Sequence, residues 1–197
     1  DENIKDIKYD LTSAKSILQS EGWVDKNGDG IREKNGEPLK FSIKFYKSRR
    51  HQDAAVIVQS QLRKIGAEIV IQQLDPNLFI DQVFMNKNFD AVVMTLDADF
   101  TVDPSPLWHS DEIESGFNFV SFRNSRVDEL LEMARNARDQ ETAHPLWKEF
   151  QQLMIDECPY TFLFNPKDIV ACNKRITNTE FDIRGFLANI QDWQITK

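Results

Sequence analysis

The stretch LKFSIKFYKSRRHQDAAVIVQSQLRKIGAEIVIQQLDPNLFIDQVFMNKNFDAVVMTL, residues 39–96, decides the fold. Over Leu39–Tyr46 the apolar Phe41, Ile43 and Phe45 alternate with polar neighbours, the period of a strand. From about Gln52 to Ile65 the apolar residues Ala55, Val58, Leu62 and Ile65 share one helical face, and Gly66 ends the run. Ala67–Leu74 reads as a second strand. Asp75-Pro76 then supplies a cap and a proline at the first helical position, which predicts a helix to about Met85. Phe89–Leu96 is a third strand, apolar enough to be covered on both faces. Strand, helix, strand, helix, strand with short links requires parallel pairing and right-handed crossovers. The fold class is therefore α/β, with a parallel βαβαβ core.

Outward from that core, a helix is predicted over Leu11–Glu21, with Asp10 as N-cap and Gly22 closing it. Residues 97–123 lack periodicity and carry Asp97, Asp99, Asp103, Pro104 and Pro106; a connection of that length is usually functional or disordered. Its aromatics, Phe100, Trp108, Phe117, Phe119 and Phe122, argue against disorder, and Phe100, Trp108 and Phe119 stand open between satellite core and ligand contact. Ser125-x-x-Asp128 resembles a capping box opening a helix with Val127, Leu130, Leu131 and Ala134 inward. A further helix runs from about Ala143 to Glu157. Tyr160–Phe164 and Ile169–Asn173 read as a C-terminal hairpin turning through Asn165–Asp168, followed by an irregular aromatic tail.

The 197 residues suffice for one sizeable domain, 1–197. A net charge of -8 argues against nucleic acid and against an anionic membrane surface. No apolar run approaches a membrane span, and the polar opening Asp1–Asp6 has no signal-peptide pattern. Cys158 and Cys172 could form one bridge or, more in keeping with their places, sit as two buried thiols.

Several motifs bear on chemistry. Ligands of open parallel sheets bind outside the strands' carboxyl ends. The segments leaving those ends are Tyr46–Arg49, Asp75–Pro76 and Leu96–Asp103. The last carries three carboxylates, which as an ordinary acidic turn would be unremarkable and as a site would suit a cation. Asp25, Asn27 and Asp29, followed by Gly30, look like the start of a calcium loop, but Gly36 occupies the position where a bidentate Glu is needed. His51, His109 and His144 are far apart, no Gly-x-Ser-x-Gly elbow occurs, and neither cysteine has an evident catalytic partner. No metal or other cofactor is expected.

An ordered series of short motifs gives the chain a wider resemblance. The pieces are Tyr9–Lys15 through Glu21-Gly22-Trp23, Asp29-Gly30-Ile31-Arg32-Glu33, and Gln61–Ala67. They continue with Phe89-Asp90-Ala91 leading to Asp103-Pro104, Asn118-Phe119-Val120, Asn124–Asp128 with Leu131, and Pro159–Leu163. In this order they resemble the C-terminal half of family 5 extracellular solute-binding proteins, the peptide-binding components of ABC importers. The resemblance implies a periplasmic-binding-protein-like lobe, one of two that enclose a small solute, a peptide on this reading. It implies no enzyme activity, an extracytoplasmic location, permease subunits as partners of the full-length protein, and membrane attachment, if any, by a lipid anchor on an N-terminus outside this sequence. It further implies that an Asp placed like Asp99 meets a peptide's α-ammonium, with Asp97, Leu96, Phe100, Tyr46 and Asn118 around the ligand. Leu96 stands where peptide-binding relatives have Trp, and the Asp-Pro pair lies one residue further on. The alternatives are a metal-dependent hydrolase using Asp97, Asp99 and Asp103, and a sensor or interaction module.

Overall fold

The computed structural model describes residues 4–5, 7–96, 103–167, 169–182 and 184–196. The described chain forms two compact units, the first up to residue 96 together with 103–159, the second from 160 onward.

In the first unit, α1 (Leu11–Ser20) starts where Asp10 accepts the backbone N–H groups of Thr12 and Ser13. Gly22, at φ +88, ends it in the left-handed region that costs other residues Cβ strain. The Asp-Gly loop that follows satisfies itself. Asp25 accepts from Gly28 and Gly30, Asn27 from Asp29, and Asp29 from Ile31. Asp25, Asn27 and Asp29 thus serve as turn acceptors for backbone N–H groups. The loop feeds a two-residue hairpin, β1 (Glu33–Lys34) with β2 (Glu37–Pro38).

The expected core is present. β3 (Lys40–Tyr46) pairs in parallel with β4 (Glu68–Leu74) on one side and β5 (Ala91–Val92) on the other, giving the order β4-β3-β5. Helix α2 (Arg49–Arg63) packs Ala54 and Ala55 onto the face carrying Ile43, Phe45, Ile69 and Val93. The second crossover begins as α3 (Pro76–Phe79), capped by Asp75, and continues as a π-helical turn, Ile80–Met85. Phe79 meets Tyr46, which alternates along β3 with the core-facing Phe45, so this crossover covers the opposite face. That is a doubly wound arrangement.

The third strand is shorter than the expected Phe89–Leu96. At its start side chains replace ladder bonds: Asp90 accepts from both the N–H and the hydroxyl of Ser42 at 2.8 Å, and the buried Lys44 donates to the carbonyl of Asn88. Beyond Val93, whose N–H reaches Lys44 at 2.9 Å, the chain leaves the sheet.

The stretch expected to be aperiodic contains two short helices, α4 (Ser105–Trp108) and α5 (Glu112–Ser115). Helix α6 (Ser125–Arg135) is capped by Asn124 rather than Ser125, and Asp128 accepts from the N–H of Ser110 instead of completing a capping box. Helix α7 (Gln140–Asp156) begins earlier than expected because Asp139 caps it, and it accommodates Pro145. Arg126 grips Glu149 with two hydrogen bonds, joining α6 to α7.

In the second unit the expected hairpin does not form. No described residue from 161 to 173 belongs to a strand. Phe162, Leu163, Phe164, Ile169 and Val170 are exposed, and a hairpin with no face to bury is marginal in water. The antiparallel pair that does form is β6 (Ile176–Thr177) with β7 (Gln194–Ile195). Buried Asn189 pins it, accepting from the N–H of Glu180 and from the indole of Trp193, and donating to Asn178. Cys158 and Cys172 are unbridged and exposed, which corrects the expectation of buried thiols.

Candidate functional site at the carboxyl edge of the sheet

The parallel sheet delivers three chain exits to one edge. Tyr46 ends β3, Leu74 ends β4 opposite it, and Thr95 and Leu96 follow β5. Lys47 closes the first exit against the second, its N–H donating to the carbonyl of Leu74 at 2.9 Å. At the second exit Asp75 is occupied as the cap of α3. The first and third exits bring Tyr46 and Leu96 to the same edge.

Those two exits are joined by His51, in the first turn of α2. Its imidazole Nε2 lies 2.9 Å from the hydroxyl of Thr95. The ring stands edge-on to Tyr46, with centroids 4.4 Å apart, and Tyr46 stands edge-on to Phe79 at 5.6 Å. His51 is 4% exposed, and among the described residues its Nδ1 has no hydrogen-bond partner. Burial, reinforced by the charge of Arg50, pushes its pKa below the ordinary histidine value, so the ring is neutral. The turn leading into α2 is basic, with Lys47, Arg49 and Arg50, and Arg49 is paired with Asp53 at 3.1 Å.

The sequence-predicted residues divide. Tyr46 and Leu96 lie at this edge, Tyr46 half-buried and Leu96 exposed. Asp97, Asp99 and Phe100 fall outside the described residues. Asn118 is fully buried among backbone groups. Its amide donates to the carbonyls of His109 and Phe122 and accepts from the N–H of Phe122. That amide is a scaffold pin, with none of its hydrogen-bonding capacity turned to the sheet edge. Trp108 and Phe119 are likewise core, and Phe119 stacks edge-on with Phe84 and Phe89. Asp103 accepts from Ser105 in the turn before α4, and hydrogen bonds from Ser105 hold its carboxyl below the usual carboxylate range.

The pairing of His51 with Thr95 at this edge was not legible in the sequence. The available signal was a histidine placed five residues after the end of a parallel strand, hence in the first helical turn at the strands' carboxyl edge. A hollow of about 320 Å³, lined by Gln59, Ser60, Arg63, Ala67, Glu68 and Ile69, lies toward the other end of α2, by the start of β4.

Comparison with known proteins bears on this geometry. Residues 1–115, more than half of the chain, match the family model described as bacterial extracellular solute-binding proteins, family 5 Middle. The chain is 31% identical to the oligopeptide-binding protein AppA of Bacillus subtilis over 199 residues, covering 100% of this chain and 37% of AppA. The structure of that AppA in complex with a nonapeptide superposes with a TM-score of 0.86 at 30% identity, covering 100% of this chain and 40% of AppA. NikZ of Campylobacter jejuni, in complex with Ni(L-His), shares the fold with a TM-score of 0.79 at 24% identity, covering 98% of this chain and 40% of NikZ. The chain thus spans well under half the length of these relatives. The matched family model and the periplasmic-binding-protein-like α/β lobe agree: the chain belongs to the bacterial extracellular solute-binding proteins of family 5.

Proposed function

We propose that this chain is one lobe, the C-terminal one, of a two-lobed extracytoplasmic protein that captures a peptide for an ABC importer. The observation that carries the reading is the likeness, over the whole chain, to an oligopeptide-binding protein whose structure holds a nonapeptide. The edge geometry supports it. A parallel sheet presents an aromatic side chain, Tyr46, on a rigid backing of His51 and Phe79, beside an exposed exit at Leu96. Such an edge offers a fixed wall for a solute, as open α/β sheets do at their carboxyl ends.

On this reading Asp99, with Asp97 beside it, supplies a carboxylate for a cationic ligand end, a charge-assisted contact stronger than a neutral one. Leu96, Phe100 and Tyr46 supply apolar contact, and Asn118 belongs to the scaffold. The protein works by lobe closure and transfers no group; its partners are the peptide and the importer's permease subunits. The isolated lobe binds weakly, because half of the contacts belong to the other lobe.

The test is mass spectrometry of small molecules co-purifying with the full-length protein. Peptides support the reading. A metal chelate or a sugar in their place replaces the solute class and keeps the lobe. Bound metal with chelator-sensitive turnover overturns the binding role in favour of a hydrolase.

A further inference from the structure

We infer that His51 is a positioning residue for solute binding: its hydrogen bond to Thr95 fixes where the chain leaves the third strand, and so sets the edge that meets the solute. The inference rests on the carboxyl edge being the solute-facing edge.

Little else among the described residues holds that exit. β5 pairs over Ala91–Val92, and its last backbone bond runs from Val93 to Lys44. Among the described residues no backbone hydrogen bond ties Met94, Thr95 or Leu96 to β3. The bond from the imidazole to the Thr95 hydroxyl is the tie that continues the sheet's hold past Val93. It spans 44 positions in sequence, between the start of α2 and the exit of β5.

His51 is suited to be the fixed end of that tie. It stands on a 15-residue helix whose next turn, Ala54 and Ala55, is buried in the sheet core. Tyr46 flanks the ring edge-on, so two of the three strand exits meet at one imidazole. The buried Nδ1 has no hydrogen-bond partner among the described residues, and a lone pair left there costs less than an N–H without an acceptor. The proton therefore belongs on Nε2, which donates to the Thr95 oxygen. A second proton would place a charged N–H where nothing receives it, in keeping with the lowered pKa. At 4% exposure His51 does not reach a solute itself; it acts through Thr95.

The experiment uses the full-length protein and two readouts. Amide hydrogen exchange at residues 94–96 reports the tie without any ligand, and titration calorimetry with pentaalanine reports binding. Thr95→Val keeps the shape and removes the hydroxyl; Thr95→Ser keeps the hydroxyl. The expected result is about tenfold faster exchange at 94–96 and about tenfold weaker pentaalanine binding in Thr95→Val and in His51→Leu, the scale of one hydrogen bond, with Thr95→Ser close to wild type in both. Unchanged exchange in Thr95→Val overturns the inference whatever the peptide does. Faster exchange with wild-type affinity also overturns it, and locates the failure in the reading of this edge as solute-facing. A merely structural role for His51 predicts lower stability in His51→Leu with exchange at 94–96 and affinity near wild type, and that result also overturns the inference.

Discussion

Arg32 lies across Gly66 so closely that a Cβ on Gly66 would sit 2.7 Å from Arg32 Cγ and 3.1 Å from its Cδ. The contact is part of a clasp. Arg32 donates from its guanidinium to the carbonyls of Trp23 and Ile65, and from its backbone N–H to Gly66. Gly66 also sits at φ +91. Gly66→Ala therefore meets both a disfavoured backbone and a clash, and should cost about 2 kcal/mol or more. The measurement is the urea midpoint at unchanged m-value. Combining it with Arg32→Ala should be less than additive, because the second change removes the obstructing side chain.

Asn118→Ala leaves the carbonyls of His109 and Phe122 and the N–H of Phe122 without their side-chain partner in a fully buried place. A loss of about 2–4 kcal/mol in unfolding free energy is expected, on the scale of several unmatched buried groups. Peptide affinity of the full-length protein, measured well below the variant's melting temperature, should stay near wild type. A loss of affinity without a loss of stability would return Asn118 to the ligand site.

The grip of Arg126 on Glu149, at 2.7 and 2.9 Å, joins two exposed helix faces. Exposed ion pairs contribute little, and salt screens them. A double-mutant cycle on Arg126→Ala and Glu149→Ala should give a small coupling that vanishes in molar salt. A coupling indifferent to salt would mean that packing, not charge, joins α6 and α7.

Acid should unfold the lobe in two windows. His51 has a lowered folded pKa, so below its unfolded value of about 6.5 the unfolded chain takes up a proton that the native one resists, and stability falls with pH down to the folded value. Asp90, held low by the backbone and hydroxyl of Ser42, and Asp103, held low by Ser105, stabilise the fold above about pH 3.9. That contribution is lost as pH drops through their folded values. Urea midpoints measured against pH check this; His51→Gln should remove the upper window and keep the lower.

Much of the fold was legible because the alternation of Phe41, Ile43 and Phe45 and the helical face of Ala55, Val58 and Leu62 each have one burial solution. The short third strand was not legible, since Asp90 and Lys44 take over ladder bonds with side chains that a periodicity argument treats as surface. The misplaced C-terminal hairpin has a similar origin: Phe162 to Phe164 have strand propensity, but propensity without a face to cover does not make a strand. Tyr46 could be placed at the sheet edge from strand direction alone. His51 and Thr95 could not, because their pairing depends on how the first turn of α2 sits over the exit of β5. Asn118 belongs to a recognisable motif, yet sequence does not tell a buried backbone pin from a ligand contact.

Calorimetric titration of the full-length protein with pentaalanine, wild type against Asp99→Ala, reads whether a peptide is captured through the Asp99 carboxylate. Capture through that carboxylate gives saturable binding by the wild type and at least about a tenfold loss in the variant, as expected for a charge-assisted hydrogen bond. Equal affinity in the two proteins would contradict it.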